Sequence, residues 1–251
     1  MEGSVTLEIK NNIGEIEFFH PQSNSLPSKI LNKLALTIKE CGTNDLIKII
    51  IIKSKGERAF CAGASFEELT NISNKIDGKK FFMGFANVIN AARKCPKLII
   101  GRVQGKAVGG GVGMACAVDY CYATKYASIK LSELAVGIGP FVVGPAVERK
   151  SGLSAYSQLS VNATKWFDAN WAREKGIYAE VFESTEEMDI SINNLANKLI
   201  KSNPAAMKKL KEVFWEKHIH WDSLLEERAE YSGELVLSNF TKEAIAKFKN
   251  K

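Results

Sequence analysis

The chain has 251 residues, of which 45% are apolar and 25% charged, a composition typical of one large globular domain or of one domain with a small appendage. Glycine and proline number only 19 and 6, which excludes collagen-like, disordered and low-complexity proteins. The net charge of +6 favours anionic ligands, but no basic block indicates a nucleic-acid partner. The densest basic stretch, Lys208, Lys209 and Lys211, is offset by Glu212 and Glu216, so we interpret it as a solvated helix face.

The cysteines and the N-terminus indicate the cellular compartment. Five cysteines are odd in number and form neither a CxxC motif nor a cluster with the three histidines, which predicts reduced thiols and no metal site. The first four residues contain no apolar segment, and the apolar run Ile49–Ile52 is far too short to cross a membrane. We therefore expect a cytoplasmic protein with no membrane partner.

The first elements follow from periodicity. Apolar residues alternate over Val5–Ile9 and again over Ile16–Phe18, with turn residues between them, which predicts a β-hairpin. Pro27 then opens a helix that ends at Gly42, and the β-branched run Ile47–Lys53 predicts a strand.

Strand and helix continue to alternate along the chain. The predicted elements are a helix over 78–94, a strand Leu98–Val103, a small-residue helix to about Val118, strands at Tyr120–Ala123 and Ala127–Leu131, short helices over 141–176 and a strand Tyr178–Phe182. Only helical periods follow over 186–250, interrupted at Pro204 and Gly233. These patterns predict an α/β core at residues 1–185 and a helical region at residues 186–251.

Three common active-site motifs are absent from the sequence. Gly109, Gly110, Gly111 and Gly113 do not form the G-x-G-x-x-G pattern of dinucleotide-binding folds. No P-loop precedes the Lys106 position, and no serine lies in a G-x-S-x-G elbow. Nucleotide hydrolysis and serine-hydrolase chemistry are therefore disfavoured.

Two glycine-containing loops instead lie at strand-to-helix junctions, at residues 60–69 and 104–113. Such junctions offer free backbone N–H groups at the positive end of a helix, where a negatively charged oxygen is stabilised. Two of them together could form an oxyanion hole.

Four segments, in order and with family-like spacing, resemble the enoyl-CoA hydratase/isomerase (crotonase) family. They are HPQSNSL at 20–26, FCAGASFEEL at 60–69, QGKAVGGGVG at 104–113 and LSELAVGIGP at 131–140. The resemblance spans nearly the whole chain and implies a crotonase-like α/β spiral of ββα units, with a helical C-terminal trimerisation region. It also implies a homotrimer or a dimer of trimers acting on acyl-CoA, with no cofactor besides the coenzyme A of the substrate.

The resemblance also implies roles for individual residues. The N–H groups of Ala64 and Gly110 match the two oxyanion-hole donors of the family, and Glu133 matches a catalytic glutamate. Lys29 and Lys247 are candidates for contacting the phosphates of coenzyme A. The remaining predicted substrate- and CoA-binding positions are Phe60, Ala62, Gly63, Ser65, Phe66 and Gly109.

The chain departs from the family's hydratase pattern at one position. Hydratases of the family use two glutamates, and the first of these aligns here with Gly113, whereas the second is retained as Glu133. A single carboxylate suits a proton shuttle, in which one base removes a proton at Cα and returns it at Cγ. We therefore place isomerisation of an unsaturated acyl-CoA ahead of hydration and decarboxylation, with a non-catalytic CoA-binding protein as a further alternative.

Other acidic residues are assigned structural roles. Glu67 and Glu68 are expected to begin a solvated helix, and the Glu148–Lys150 stretch is expected to form a solvated helix turn. Asp119 resembles the family aspartate that braces the core.

Overall fold

The computed structural model describes residues 2–249 of the chain. The strands are β1 Ser4–Lys10, β2 Ile13–Phe19, β3 Ser25–Leu26, β4 Ile49–Ser54, β5 Ala59–Cys61, β6 Gly63–Ala64, β7 Leu98–Val103, β8 Lys106–Val108, β9 Tyr120–Thr124, β10 Ile129–Lys130 and β11 Glu180–Phe182. The α-helices are α1 Ser28–Thr43, α2 Phe66–Thr70, α3 Lys75–Lys94, α4 Gly110–Ala117, α5 Gly144–Val161, α6 Ala169–Glu174, α7 Thr185–Leu199, α8 Pro204–Trp215, α9 Trp221–Leu235 and α10 Asn239–Lys249. Two 3₁₀ turns lie at Glu133–Val136 and Glu216–His218.

The main sheet has six strands in the order β1-β2-β4-β7-β9-β11. Strands β1 and β2 form the predicted antiparallel hairpin, and the remaining pairs are parallel. Asn11 and Asn12 turn the hairpin with φ of 51° and 63°, the left-handed conformation that asparagine tolerates well in a two-residue turn. The alternation of strand and helix read from the sequence is confirmed.

Two smaller sheets contain strands that periodicity did not reveal. Strand β3 pairs with β6, and β8 lies between β10 and β5. The strand predicted over Ala127–Leu131 is reduced to the two residues of β10, which pair with the short β8 on one side and, through Ile129 alone, with Phe167 on the other. These small sheets fasten the two glycine loops to the chain segments before and after them.

Helices α3 and α9 pack closely across the fold. The expected interruption at Gly233 is wrong, because Gly233 lies inside α9. A Cβ added at Gly233 would lie 2.5 Å from the backbone N of Lys79, so this glycine serves the close approach of the two helices rather than a helix end. Pro204 does mark a boundary, since it occupies the first turn of α8.

The solvated face expected for the 208–216 stretch is also wrong at one residue. Lys211 is buried, and its Nζ donates to Asp119 Oδ2 at 2.6 Å and to the Lys97 carbonyl at 3.1 Å. Asp119 also accepts a bond from the Ile99 N–H at 2.8 Å, which confirms its bracing role. The ion pair is formed only when α8 docks on the sheet, and local charge patterning cannot show such a contact.

The expectation for the Glu148–Lys150 turn needs a similar correction. Glu148 is exposed, but Lys150 Nζ is directed inward and donates to the Asp119 carbonyl at 3.0 Å. The guanidinium of Arg149 lies 3.7 Å from the centre of the Trp215 ring, a cation–π distance. Two of these three side chains therefore fasten α5 to the Asp119 region.

No helix within residues 2–249 is long and apolar enough to cross a membrane. Within the same range, no group of three or more His, Cys, Asp or Glu side chains is arranged to hold a metal ion. All five cysteines are buried and free. The division at residue 185 and the trimerisation region stay predictions.

Candidate active site

A cavity of about 450 Å³ lies where the two glycine loops meet the Glu133–Val136 turn. Helix α3 supplies one wall, and Ser232 of α9 supplies part of another. Cavities of this size that are mostly apolar and contain a few polar groups are typical of small-molecule sites. The cavity is therefore the candidate active site.

The first loop is held in place by Asn24, which comes from the 20–26 segment. Asn24 Nδ2 donates to the carbonyls of Lys55 and Ala59, each at 3.0 Å, and its Oδ1 accepts the N–H of His20 at 2.8 Å. The residue is 3% exposed and has φ of 56°, a conformation that asparagine adopts more readily than most residues. Asn24 thereby joins the segment after β2 to the loop before β5.

The second loop is fastened by Gln104 and by close backbone approaches. Gln104 Nε2 donates to Ser54 Oγ at 2.9 Å and to the Gly56 carbonyl at 2.7 Å. A Cβ at Gly105 would lie 2.6 Å from the Arg58 carbonyl oxygen, and one at Gly111 would lie 2.5 Å from that of Cys61. The two loops can pack this tightly because glycine occupies both positions.

The backbone at Ala64 and Gly110 leaves two N–H groups without ladder or helix acceptors. The Leu26 carbonyl accepts the Ser65 N–H at 3.0 Å. Because N–H groups of successive residues in a strand point to opposite sides, the Ala64 N–H points away from β3. Gly110 is the first residue of α4, whose N–H has no intrahelical acceptor. Both residues line the cavity.

Glu133 lies in the same cavity, at the start of the 3₁₀ turn. Its Oε2 is buried and has no hydrogen-bond partner among the described residues. A Cβ built on Gly109 would lie 2.8 Å from Glu133 Oε1, so the positive φ of 52° at Gly109 accompanies a close approach to the carboxyl group. Burial raises the pKa of Glu133 from 4.5 to about 7, against a small opposing effect of its own backbone N–H.

The space beside Gly113, the position that aligns with the first glutamate of the family's hydratases, is occupied by aliphatic side chains. Gly113 does not line the cavity, and a Cβ there would lie 2.6 Å from Val143 Cγ1 and 3.5 Å from Ile89 Cδ1. Val143 itself lines the cavity. Glu133 is therefore the only carboxylate among the described residues that line the cavity.

One rim of the cavity carries positive charge. Lys130 lines the cavity, and its Nζ lies 4.4 Å from the centre of the Trp166 ring, while Lys106 Nζ lies 5.0 Å from the same ring. Burial, followed by the charge of Lys106, lowers the pKa of Lys130, and no carboxylate opposes these effects. This rim can receive an anionic group.

The lysines named from the sequence lie elsewhere. Lys29 is 83% exposed at its side chain and pairs with Glu2 at 3.1 Å, and Lys247 is exposed on α10. Neither lines the cavity. Their contact with phosphate stays a prediction.

The structure brings most of the predicted site residues together. Ala62, Gly63, Ala64, Phe66, Gly109, Gly110 and Glu133 all line the cavity. Phe60 and Ser65 do not: the Phe60 ring packs edge-on against Phe18 at 5.3 Å in the core, and Ser65 Oγ accepts the Glu68 N–H at the start of α2. Any contact these two make with a ligand would involve their backbone rather than their side chains.

The acidic residues of α2 differ from each other. Glu67 is exposed, as expected. Glu68 is half-buried, and its Oε2 accepts bonds from the Ser28 N–H at 2.9 Å and from Ser28 Oγ at 2.6 Å. Glu68 therefore caps the start of α1 rather than facing solvent.

Sequence reasoning missed the side chains that shape the cavity. Lys130 is three residues before Glu133, and this proximity could have pointed to it, but its pairing with Trp166 depends on the fold. Phe81, Phe82 and Phe85 belong to the periodic pattern of α3, where an apolar residue facing the core and one facing a cavity look alike.

The chain matches one protein family along nearly its whole length. Residues 8–249 match the family model described as enoyl-CoA hydratase/isomerase. A probable enoyl-CoA hydratase of Bacillus subtilis (strain 168) is 26% identical over 250 residues, covering 99% of this chain and 96% of the relative. The peroxisomal Delta(3,5)-Delta(2,4)-dienoyl-CoA isomerase of Arabidopsis thaliana is 25% identical over 270 residues, covering 98% and 95%.

The fold has close counterparts among solved structures. The crystal structure of enoyl-CoA hydratase from Bacillus halodurans superposes with a TM-score of 0.90 at 21% identity, covering 97% of this chain and 99% of that one. This likeness confirms the predicted crotonase-like α/β fold. Because the family model covers nearly the whole chain, the protein belongs to the enoyl-CoA hydratase/isomerase family.

Proposed function

We propose that this protein isomerises an unsaturated acyl-CoA, moving a β,γ double bond into conjugation with the thioester carbonyl. The observation that carries the proposal is that Glu133 is the only carboxylate among the described cavity-lining residues. A 1,3-proton shift needs one base that accepts a proton at Cα and returns it at Cγ. Addition of water is served better by two carboxylates, one for the water and one for Cα.

The chemistry assigned to Glu133 suits its surroundings. With a pKa of about 7, the carboxyl group is substantially ionised at neutral pH, yet basic enough to accept a proton from Cα. Loss of that proton leaves a dienolate, with the negative charge on the thioester oxygen. Glu133 then returns the same proton to Cγ, the electron pairs shift back, and the conjugated thioester forms without any other reactant.

The N–H groups of Ala64 and Gly110 are proposed to hold that oxygen. Both residues line the cavity together with Glu133, and neither N–H is used by β3 or α4. Fixed donors of this kind typically contribute about 10²–10³ each to the rate, because they stabilise charge that develops only during the reaction.

The charge distribution of the cavity supports an acyl-CoA substrate. Lys130, which shares the Trp166 ring with Lys106, lines the cavity, and so do the phenylalanine rings of α3. A ligand with anionic phosphates and an apolar acyl tail matches both features. The proposal requires no cofactor besides the coenzyme A of the substrate, and the homotrimer or dimer of trimers stays a prediction.

Hydration is the second candidate, and it is favoured by the name of the Bacillus subtilis relative, a probable enoyl-CoA hydratase. Against it stands the filled position beside Gly113, where Val143 occupies the space that a second carboxylate would need. Hydration in this protein would require Glu133 to serve both the water and the proton at Cα.

A matched pair of substrates distinguishes isomerisation from hydration. We expect 3-hexenoyl-CoA to gain conjugated-enoyl absorbance with a kcat/KM at least about tenfold above that for loss of the same absorbance from 2-hexenoyl-CoA. Because Glu133 must be ionised, kcat/KM for isomerisation should rise with pH and level off above about pH 7. Faster hydration than isomerisation would overturn the proposal, and acyl-CoA binding without turnover of either substrate would identify a non-catalytic protein.

A further inference from the structure

Arg228 of α9 is a half-buried cation with an unused hydrogen-bond donor. Its Nε is buried and has no hydrogen-bond partner among the described residues. The carboxylate of the adjacent Glu227 accepts the hydroxyl of Tyr231 instead. Because a guanidinium N–H that is buried and unbonded costs free energy, its retention needs an explanation, and a bound anion is one.

Arg228 lies next to the cavity at its α9 side. Ser232, one helical turn further along, lines the cavity, and its hydroxyl donates to the Arg228 carbonyl at 3.2 Å. The guanidinium carbon lies 5.5 Å from the centre of the Tyr231 ring, and that ring packs edge-on against Phe141 with 6.0 Å between the ring centres. Phe141 lines the cavity, whereas Arg228 does not. The guanidinium therefore lies just outside the wall that Ser232 and Phe141 form.

Tyr156 lies near both Arg228 and the proposed base. Its hydroxyl donates to the carbonyl of Pro140, a cavity-lining residue, at 3.4 Å. Burial raises the pKa of Tyr156, a rise that the charge of Arg228 reduces and the charge of Glu133 increases. The cation and the carboxyl group therefore both lie within electrostatic range of one phenol beside the cavity.

We infer that Arg228 is a specificity-determining residue and that the acyl group preferred by this cavity ends in a carboxylate. The inference rests on the proposed function in that the cavity binds acyl-CoA. The distal carboxylate accepts the Nε–H of Arg228 in a charge-assisted hydrogen bond, which is about twice as strong as a bond between neutral groups. Because Arg228 does not line the cavity, the Phe141 ring must turn aside for the carboxylate to reach it.

The phenylalanine rings of α3 do not by themselves favour such a group. A carboxylate placed among them loses its hydration, and only a nearby cation offsets that loss. An acyl chain that ends in a methyl group, in contrast, leaves the Arg228 N–H unbonded. The preference therefore depends on Arg228.

Matched pairs of saturated thioesters test the inference on the unmodified protein. Glutaryl-, adipoyl- and suberoyl-CoA have counterparts of the same chain length without the terminal carboxylate in pentanoyl-, hexanoyl- and octanoyl-CoA. We expect at least one of the three to bind at least about tenfold more tightly than its counterpart, an effect typical of one hydrogen bond to a charged group. Titration calorimetry measures these affinities without turnover. If no member ending in a carboxylate binds more tightly than its counterpart, the inference is wrong.

Substitution of Arg228 assigns the preference to this residue. Arg228→Met keeps an unbranched side chain and removes the charge, so we expect it to abolish the preference while changing the affinity for the uncharged counterpart by less than about threefold. The matched control is Arg173→Met, at an exposed site on α6 outside the cavity, and it should keep the preference. A folded Arg228→Met protein with the preference intact would overturn the assignment.

A milder variant covers the case in which Arg228→Met does not fold. Arg228→Lys keeps the charge but loses the planar fork of donors, and we expect it to lower the preference by at least about threefold. An unchanged preference in this variant would also contradict the assignment.

The remaining outcomes separate this inference from the proposed function. Isomerisation of 3-hexenoyl-CoA without any preference for a terminal carboxylate would overturn the inference alone. The preference without turnover of either hexenoyl-CoA would support the inference and overturn the proposed isomerase. If no preference exists and Arg228→Met dissociates an oligomer in size-exclusion chromatography, the partner of Arg228 is a second copy of the chain, and the inference is wrong. Failure of all six thioesters to bind would overturn both.

Discussion

Asp119 and Glu133 are both buried carboxylates, but their surroundings differ in kind. The Asp119 side chain is 5% exposed, and its oxygens accept bonds from Lys211 Nζ at 2.6 Å, from the Ile99 N–H at 2.8 Å and from Trp215 Nε1 at 3.4 Å. Glu133 Oε2 is buried with no partner among the described residues. The fold therefore supplies Asp119 with a cation and hydrogen-bond donors, whereas Glu133 Oε2 has neither among the described residues.

The difference separates a structural acid from a reactive one. A buried carboxylate with a cation and two N–H donors has its hydrogen-bonding capacity used by the fold, and it fixes the elements that supply those donors. A buried carboxylate without donors has a raised pKa and destabilises the fold when ionised, so its retention needs a functional reason. The following predictions test whether the two residues divide in this way.

The largest effect is expected from Glu133→Gln, which keeps the size of the side chain and removes the base. We expect kcat for isomerisation of 3-hexenoyl-CoA to fall by about 10²–10⁴, while the dissociation constant for hexanoyl-CoA changes by less than about threefold. Glu148→Gln, at an exposed site on α5, is the matched control. Activity of Glu133→Gln within threefold of the unmodified protein would show that Glu133 is not the base.

Removing the cation that pairs with Asp119 should lower the stability of the protein. Lys211→Met leaves Asp119 buried without its cation, and we expect the free energy of unfolding in urea to fall by about 3–5 kcal/mol. Lys209→Met is the control on the same helix, because its pair with Glu212 is exposed, and it should change stability by less than about 1 kcal/mol. Equal effects of the two changes would contradict the bracing role of Asp119.

A substitution that tests the proposed N–H donor of Gly110 needs a smaller side chain in place of Phe85. A Cβ at Gly110 would lie 2.3 Å from that ring, so Gly110→Ala and Gly110→Pro are both made in a Phe85→Ala background. The two double variants share the added Cβ and differ chiefly in the backbone N–H, which proline lacks. We expect kcat to be about 10²–10³ lower for the proline variant.

Circular dichroism controls for folding in this comparison, and proline is tolerated at the first residue of a helix. If both folded double variants have the same kcat, the Gly110 N–H does not hold the developing oxyanion.

The smallest effect concerns the pH dependence of stability. Because burial raises the pKa of Glu133 from 4.5 to about 7, the folded protein binds this proton more tightly than the unfolded chain does. Below about pH 4.5 the group is protonated in both states and costs nothing. Between about pH 4.5 and 7 the unfolded chain ionises first, so stability falls as pH rises, and the full cost is present above about pH 7.

Comparison with Glu133→Gln isolates the contribution of Glu133, because all other titrating groups are the same in the two proteins. We expect the free energy of unfolding of Glu133→Gln minus that of the unmodified protein to be about 2 kcal/mol larger at pH 8 than at pH 4, a value reduced from the full shift to allow for partial solvent access. Urea titrations at the two pH values provide the measurement. A difference that does not change with pH would mean that Glu133 is solvated rather than buried.

The sequence by itself determined the order of the elements and the chemistry at the loops. The hairpin, the long helices and the strands of the main sheet follow from periods of 2 and 3.6, which report local geometry. The glycines of the two loops can be read directly from residue types and spacing, whereas the roles of Glu133 and of glycine at position 113 followed from the resemblance to the family. These features are local, and local patterns suffice for them.

Only the tertiary structure decided which residues meet across the fold. It showed that Lys211 is buried against Asp119, that Gly233 allows two helices to touch, that Val143 fills the space beside Gly113, and that phenylalanines of α3 line the cavity. Periodicity shows that a helix face is apolar, but a residue packed in the core and one lining a cavity produce the same pattern. The distinction depends on which distant segments pack against that face, and those contacts exist only in the folded chain.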